Sequence, residues 1–364
     1  MKHLINRGLE QIKPYIPGKR SDEVQKELGL EKIVKMSSNE SAYGVSDVVQ
    51  EALREAADDL YLYPASGDSQ LCERLAEMHG LSPDTIVMGN GSDAVIYNIG
   101  MTIVDQGDEV IIPEITFSIY ENIVEAMRGT VVSSPMKGLH IDTGDLLARI
   151  NGKTKAIFLC SPNNPTGHAL PPGEIHRFLE QVPDEVLVIL DEAYVDFMDE
   201  DKKPGSVELF KEGQKNLFIL RSLSKSYAIA GLRLGYGVGD PELISYMKRV
   251  RQPFDVSLPA QRAGLAALED SAFFERNIAA ARGEMDYFRS RMTEEGIAYI
   301  DSQTNFFLMD VGMDSHMAFE ELQKKGVIVR PGGNFGAPSH IRVTVTTREQ
   351  NEYFFEALLE VMKG

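Results

Sequence analysis

The chain has 364 residues, enough for two domains with a substantial core. Lys and Arg total 37 against 55 Asp and Glu, a net charge of −18, which argues against nucleic acid and against an anionic membrane surface as partners. Two cysteines, Cys72 and Cys160, exclude a disulfide framework and a four-cysteine zinc site; with no apolar leader and no apolar run near ~18 residues, a cytoplasmic enzyme is expected.

The first 45 residues carry Pro14, Pro17 and Gly18 and few periodic apolar positions, so they are expected to form an arm. Val49, Leu53, Ala56 and Leu60 then mark a helix with one apolar stripe. Short unbroken apolar runs follow at Thr85–Met88, Val110–Ile112, Ala156–Cys160, Val186–Leu190 and Leu217–Leu220, the pattern of strands covered on both faces. Between them, Gly91–Val104, Ser118–Met127 and Pro172–Glu180 have helical spacing. This alternation predicts an α/β fold: a three-layer large domain with a mainly parallel sheet. Further on come a charged helix over Ser271–Thr293, short runs at Asn305–Met309, Val327–Val329 and Ile341–Val345, and a closing helix with Phe354, Leu358 and Met362. They predict a smaller α+β domain. The expected division is a large domain over 46–255, with the arm 1–45 joining 256–364.

Ligands on such sheets bind at the carboxyl ends of the strands. Gly89-Asn90-Gly91-Ser92-Asp93-Ala94 follows one strand and opens a helix, where free N–H groups suit a dinucleotide, another phosphate or a plain turn. Ser161-Pro162-Asn163-Asn164-Pro165-Thr166-Gly167 is a rigid turn that can aim an amide at a ligand. Asp191, directly after VLVIL, needs a cation, which is either a core arginine or a cationic ring nitrogen of a cofactor. Lys225, in Arg221-Ser222-Leu223-Ser224-Lys225, is either solvated or desolvated and poised for a Schiff base. Arg233 can grip a phosphate or carboxylate bidentately. Phe117 and Tyr120 follow EVIIP, where aromatic rings pack or cover a flat cofactor. The seven histidines show no paired ligand spacing, so no metal is expected.

In order, a phosphate cradle, an asparagine turn, a carboxylate and a lysine supply what pyridoxal phosphate needs, whereas a hydride-transfer reading accounts only for the first. The sequence resembles the fold-type I pyridoxal-phosphate aminotransferases, and within them the histidinol-phosphate branch, over nearly the whole chain. The resemblance rests on KPYIPGK (13–19), KMSSNES (35–41), LYP (62–64), SPNNPTG (161–167), LDEAYVDF (190–197), RSLSKSYAIAGLRLGY (221–236) and IRVTVTTREQN (341–351). It implies transamination between L-histidinol phosphate and 2-oxoglutarate in histidine biosynthesis. Aromatic amino-acid transamination and threonine-phosphate decarboxylation are the alternatives, and a regulator without turnover stands furthest off. Lys225 would carry the cofactor as a Schiff base and move the substrate proton. Asp191 would pair with the ring nitrogen, and Asn164 and Tyr194 would hydrogen-bond the ring oxygen. Phe117 would cover the ring, while Ser92, Asp93, Ser222, Ser224 and Arg233 would hold the phosphate. Tyr63 would reach that phosphate from a second subunit of a homodimer. Arg342 would take the substrate anion in both half-reactions, with Tyr15, Asn39 and Arg330 shaping that end. The sequence departs from the family pattern at Ser41-Ala42-Tyr43-Gly44, Ala94, Phe117 and Thr346.

Overall fold

A computed structural model describes residues 4–10, 12, 14, 21–64 and 70–363. Among these residues the strands are β1 (Val34–Lys35), β2 (Ile86–Asn90), β3 (Glu109–Pro113), β4 (Thr130–Ser134), β5 (Thr154–Cys160), β6 (Leu187–Asp191), β7 (Leu217–Ser222), β8 (Leu234–Val238), β9 (Phe306–Asp310), β10 (Val327–Ile328), β11 (Arg330–Pro331) and β12 (His340–Thr344). Strands β2 to β8 form one seven-stranded sheet in the order β2-β8-β7-β6-β5-β3-β4. It is parallel except for β8, which runs antiparallel to both neighbours.

Alternate residues of each strand enter different cores, as the two-residue period of a strand requires. Ile157, Leu159, Val188, Leu190 and Ile219 face one core, with Ile175 and Phe178 of the helix Pro172–Gln181. Ala156, Phe158, Ile189, Phe218 and Leu220 face the other, with Val95, Ile96 and Ile99 of the helix Ser92–Ile103. Helices therefore cover both faces, and the five apolar runs are the buried centre of a three-layer α/β/α unit.

Two strands of this sheet escape the sequence pattern. Strand β4 is a half-exposed edge, TVVSS, with too little apolar character to stand out. Strand β8 reads LGYGV, and glycine weakens a strand signal. The reason for Gly235 is close approach: a Cβ there would lie 2.2 Å from the Ser92 amide nitrogen.

The remaining strands build a smaller unit. Strands β11, β12 and β9 form an antiparallel sheet in that order, and β1 of the arm pairs in parallel with β10. Val34 and Met36 share a core with Phe288, Phe307, Phe354 and Phe355. The change between the two cores lies later than 255. The helix Leu258–Glu269 lies against the helix Asp47–Ala56, and its Ala260, Ala263 and Ala267 belong to the large unit's core. Asp270 then caps the helix Ser271–Glu294, whose Met285, Phe288 and Met292 belong to the second core. The alanine-rich helix has a weakly apolar stripe but small side chains, which admit a close neighbour. Leu60 is also misassigned: the helix that carries Val49 and Leu53 ends at Ala56, and Leu60 is exposed. Among the described residues no helix is long and apolar enough to cross a membrane.

Candidate active site

The carboxyl ends of β5, β6 and β7 open into one cleft between the two units. Its walls include Asn39, Ser92, Asp93, Phe117, Asn164, Asp191, Tyr194, Ser222, Ser224, Lys225, Arg233 and Arg342. Most of the residues expected from sequence therefore meet in one place.

At one end Gly91 caps the helix Ser92–Ile103 at φ 82°, and its N–H donates to Arg233 O at 2.8 Å. A Cβ at Gly91 would press on the tip of the Arg233 guanidinium, and the backbone angle itself favours glycine. Arg233 itself adopts φ 56°, rare for a residue with a Cβ. Its Nη2 donates to Asp93 Oδ2 at 3.0 Å. Asp93 thus orients the guanidinium, and an anion there would meet Arg233 and the helix N–H groups rather than the Asp93 carboxylate. Ser222 and Ser224 are buried alongside, and Ser224 N donates to Ser222 Oγ at 3.2 Å.

At the floor lies Asp191, the last residue of β6, buried. Its Oδ2 accepts the Tyr120 hydroxyl proton at 2.5 Å, and its Oδ1 accepts from Ala193 N at 3.0 Å. Burial raises its carboxyl to about 6. Burial and the neighbouring carboxylate hold Tyr120 far above the usual phenol range, so the tyrosine is the donor. Tyr120 stacks on Phe158 with centroids 4.4 Å apart and meets Phe117 edge-on. Sequence reasoning left Tyr120 between packing and stacking. Its place three residues after Phe117, on the next turn of chain, was the available signal.

The arginine that could have neutralised Asp191 is engaged one residue away. Glu192 is fully buried and pairs with Arg221 at 2.6 Å. Among the described residues no cationic side chain pairs with Asp191. A buried carboxylate that faces a cleft without its cation is a receptor for a cationic ring atom.

Opposite, Lys225 lines the cleft half-buried, and its Nζ donates to Ser38 O at 3.1 Å. Burial, reinforced by the Arg342 charge, lowers its amine to about 8. The lysine is therefore desolvated rather than solvated. Tyr194 OH accepts from Asn39 Nδ2 at 2.9 Å, and burial pushes its hydroxyl up to about 12. Asn164 Oδ1 accepts from Arg342 Nη1 at 2.6 Å, which leaves its Nδ2 to donate into the cleft. Arg342 Nη2 donates to Ser37 O at 2.7 Å.

Three expected residues stand apart. Arg330 is the Cα partner of Arg342, and both guanidiniums lie 5.7 Å from the Phe335 ring; Phe335 and Arg342 line the cleft, whereas Arg330 does not. Tyr63 is 81% exposed, stacked on Phe254 at 4.7 Å, and does not line its own chain's cleft. Tyr15 lies outside the described residues.

These residues fit pyridoxal phosphate: an anion cradle, an uncompensated carboxylate, two ring-oxygen donors and a desolvated amine surround one space. The sequence model of the family "Aminotransferase class I and II" matches residues 31–358. The chain is 41% identical to the histidinol-phosphate aminotransferase of Moorella thermoacetica, across 96% of this chain and 91% of that protein. It is 39% identical to histidinol-phosphate aminotransferase 2 of Carboxydothermus hydrogenoformans, across 99% of each. Among solved structures, the histidinol-phosphate aminotransferase of Sinorhizobium meliloti in complex with pyridoxal-5'-phosphate superposes with a TM-score of 0.87 at 26% identity, covering 97% of this chain and 98% of that one. The aspartate aminotransferase of Thermus thermophilus with maleate gives 0.83 at 26% identity, with 99% of each chain covered.

Proposed function

The chain belongs to the class I and II aminotransferases, and from that premise we propose that it transfers an amino group between L-histidinol phosphate and 2-oxoglutarate, in the cytoplasm, as a homodimer. The observation that carries the cofactor assignment is Asp191, buried at the cleft floor with a tyrosine hydroxyl and a backbone N–H but no cation. The named relatives and a buried arginine at the far end support the substrate.

Pyridoxal phosphate, when bound, supplies an aldehyde that condenses with amines and a protonated ring that draws electron density from the bonds at the substrate Cα. The protein's own residues do the rest. Asp191 keeps a proton on the ring nitrogen, since its negative charge is otherwise uncompensated. Tyr194 and Asn164 would donate to the ring oxygen, and Phe117 would pack against the ring. Arg233, oriented by Asp93, holds the phosphate with the N–H groups of the helix behind it. Lys225, lowered to about 8 and held by Ser38 O, is the base that takes and returns the proton at Cα. Arg342 receives the anion carried on the substituent at Cα: the phosphate ester of histidinol phosphate in one half-reaction and the α-carboxylate of glutamate or 2-oxoglutarate in the other, either of which fits its guanidinium. Tyr63, exposed on its own chain, reaches the cofactor phosphate of the second subunit.

The test is the visible absorption spectrum of the cofactor-loaded protein. L-Histidinol phosphate alone is expected to bleach the visible band, and 2-oxoglutarate to restore it. A spectrum indifferent to histidinol phosphate removes the substrate assignment and sends the assay to aromatic amino acids and phosphothreonine. A chain that takes up no pyridoxal phosphate overturns the reading entirely.

A further inference from the structure

One short stretch of the arm holds the reacting residues. Ser37 O accepts from Arg342, Ser38 O accepts from Lys225, and Asn39 donates to Tyr194. Ser41 Oγ donates to Asn277 Oδ1 at 2.7 Å. Asn277 has no part in the chemistry described so far, yet it is buried in the helix Ser271–Glu294 beside the lysine loop.

Its two amide atoms face different partners. Nδ2 donates to Ser226 O at 2.7 Å and reaches Lys225 O at 3.4 Å. Oδ1 is occupied by Ser41. The loop so gripped is sharply turned: Ala228 N donates back to Lys225 O at 3.2 Å, and Ala228 sits at φ 56°. An alanine holds that angle only where surrounding structure over-determines it. Asn277 hydrogen-bonds the loop from outside it, while Phe274 of the same helix packs on Tyr227.

The same contacts link three of the departures from the family pattern. Tyr43 N donates to Ser41 Oγ at 3.2 Å, and Tyr43 OH donates to Thr346 O at 3.2 Å. Thr346 N and Oγ1 donate to Asn351 Oδ1 at 3.0 and 2.8 Å. Ser41, Tyr43 and Thr346 thus form one hydrogen-bonded chain that ends on Asn277.

We infer that Asn277 is a positioning residue for Lys225: anchored by Ser41, its amide fixes the backbone at 225–226, and so delivers the amine to one place in the cleft. The inference rests on the pyridoxal-phosphate reading above. Asn277 touches neither cofactor nor substrate and acts through Lys225.

The experiment compares Asn277→Ala, Asn277→Asp, Ser41→Ala and Ser41→Asn in the cofactor-loaded protein. Asn277→Asp keeps the size but turns an acceptor toward two carbonyl oxygens. Two quantities are read: the pH midpoint of the cofactor's visible band without any amino donor, and the single-turnover rate with saturating donor. Loss of the tie is expected to move the midpoint by about half a pH unit or more, because the lysine nitrogen changes surroundings. It should slow the single turnover roughly 10- to 100-fold while the donor KM stays within about 2-fold, the signature of misplacement rather than lost binding. Ser41→Ala should fall between, and Ser41→Asn, which restores a donor to Oδ1, should recover. Should Asn277→Ala fail to fold, Asn277→Asp and Ser41→Ala decide. An unmoved midpoint and unchanged turnover in those two, with only Tm lowered, overturns the inference and leaves Asn277 a packing residue. A holoprotein that ignores histidinol phosphate fails the substrate assignment alone, since the midpoint needs no donor. A chain that binds no pyridoxal phosphate fails both.

Discussion

Asp191 and Glu192 are adjacent carboxylates at the end of β6, both buried, with different neighbours. Glu192 has Arg221 at 2.6 Å; Asp191 has a phenol and a backbone N–H. Substitution by the amide should separate them. Asp191→Asn removes a buried charge that no cation offsets, so the apoprotein should melt no lower than wild type. The loaded enzyme should lose kcat by roughly 1000-fold, since an amide cannot keep the ring nitrogen protonated. Glu192→Gln leaves Arg221 without its counter-charge and should cost roughly 3 kcal/mol. Urea denaturation and kcat measured on both proteins check this. Equal behaviour of the two variants in either assay would refute the distinction. Sequence could say that a carboxylate after VLVIL needs a cation. It could not say which of the two neighbours meets the core arginine, because that depends on which way each side chain leaves the strand.

Strand β8 matters because it brings Arg233 and Gly235 to the anion cradle. Its backbone passes so close to the helix opening at Ser92 that only glycine fits at 235. Gly235→Ala should push the Ser92 loop away from the sheet and lower pyridoxal-phosphate affinity by about 10-fold or more. Titration of the apoprotein with cofactor reads this; an unchanged dissociation constant would mean that the loop shifts without cost. Five of the six parallel strands were legible because burial on both faces demands unbroken apolar runs, as in AIFLC of β5. Strand β8 was not, since the glycines that allow its close approach erase the apolar pattern. The change of core after 255 leaves little trace in the sequence for a related reason: the helix Leu258–Glu269 joins the large unit's core largely through alanines, whose small side chains leave little periodic signal.

Across the whole molecule, Leu60, Tyr61, Leu62 and Tyr63, with Phe254 stacked on Tyr63, form an exposed apolar run. If Tyr63 serves the neighbouring subunit, two defective chains can repair one another. A Tyr63→Ala chain keeps its lysine, and a Lys225→Ala chain keeps its tyrosine. Each mixed dimer then has one site with both residues intact. Equal mixing after dissociation should restore roughly a quarter of wild-type activity, since half the dimers are mixed and each has one good site of two. Activity that stays at the average of the parents would place Tyr63 in its own subunit's site or in none. The cleft's composition was readable from motifs at strand ends, whereas nothing within one chain gives the exposed Tyr63 a place in the cleft.

Asn39 hydrogen-bonds the Thr344 hydroxyl through both its backbone N–H and its side-chain oxygen, across 305 positions of sequence. β1, just before it, lies against β10. During synthesis on the ribosome this stretch emerges early and must wait for nearly the whole chain before its partners exist. The seven-stranded sheet can assemble meanwhile from contacts made nearer in sequence. The lysine's clasp at Ser38 therefore closes after the scaffold around it. A nascent chain that stops short of β12 can carry a formed sheet and a complete anion cradle, yet hold its amine in water, unready for an aldehyde.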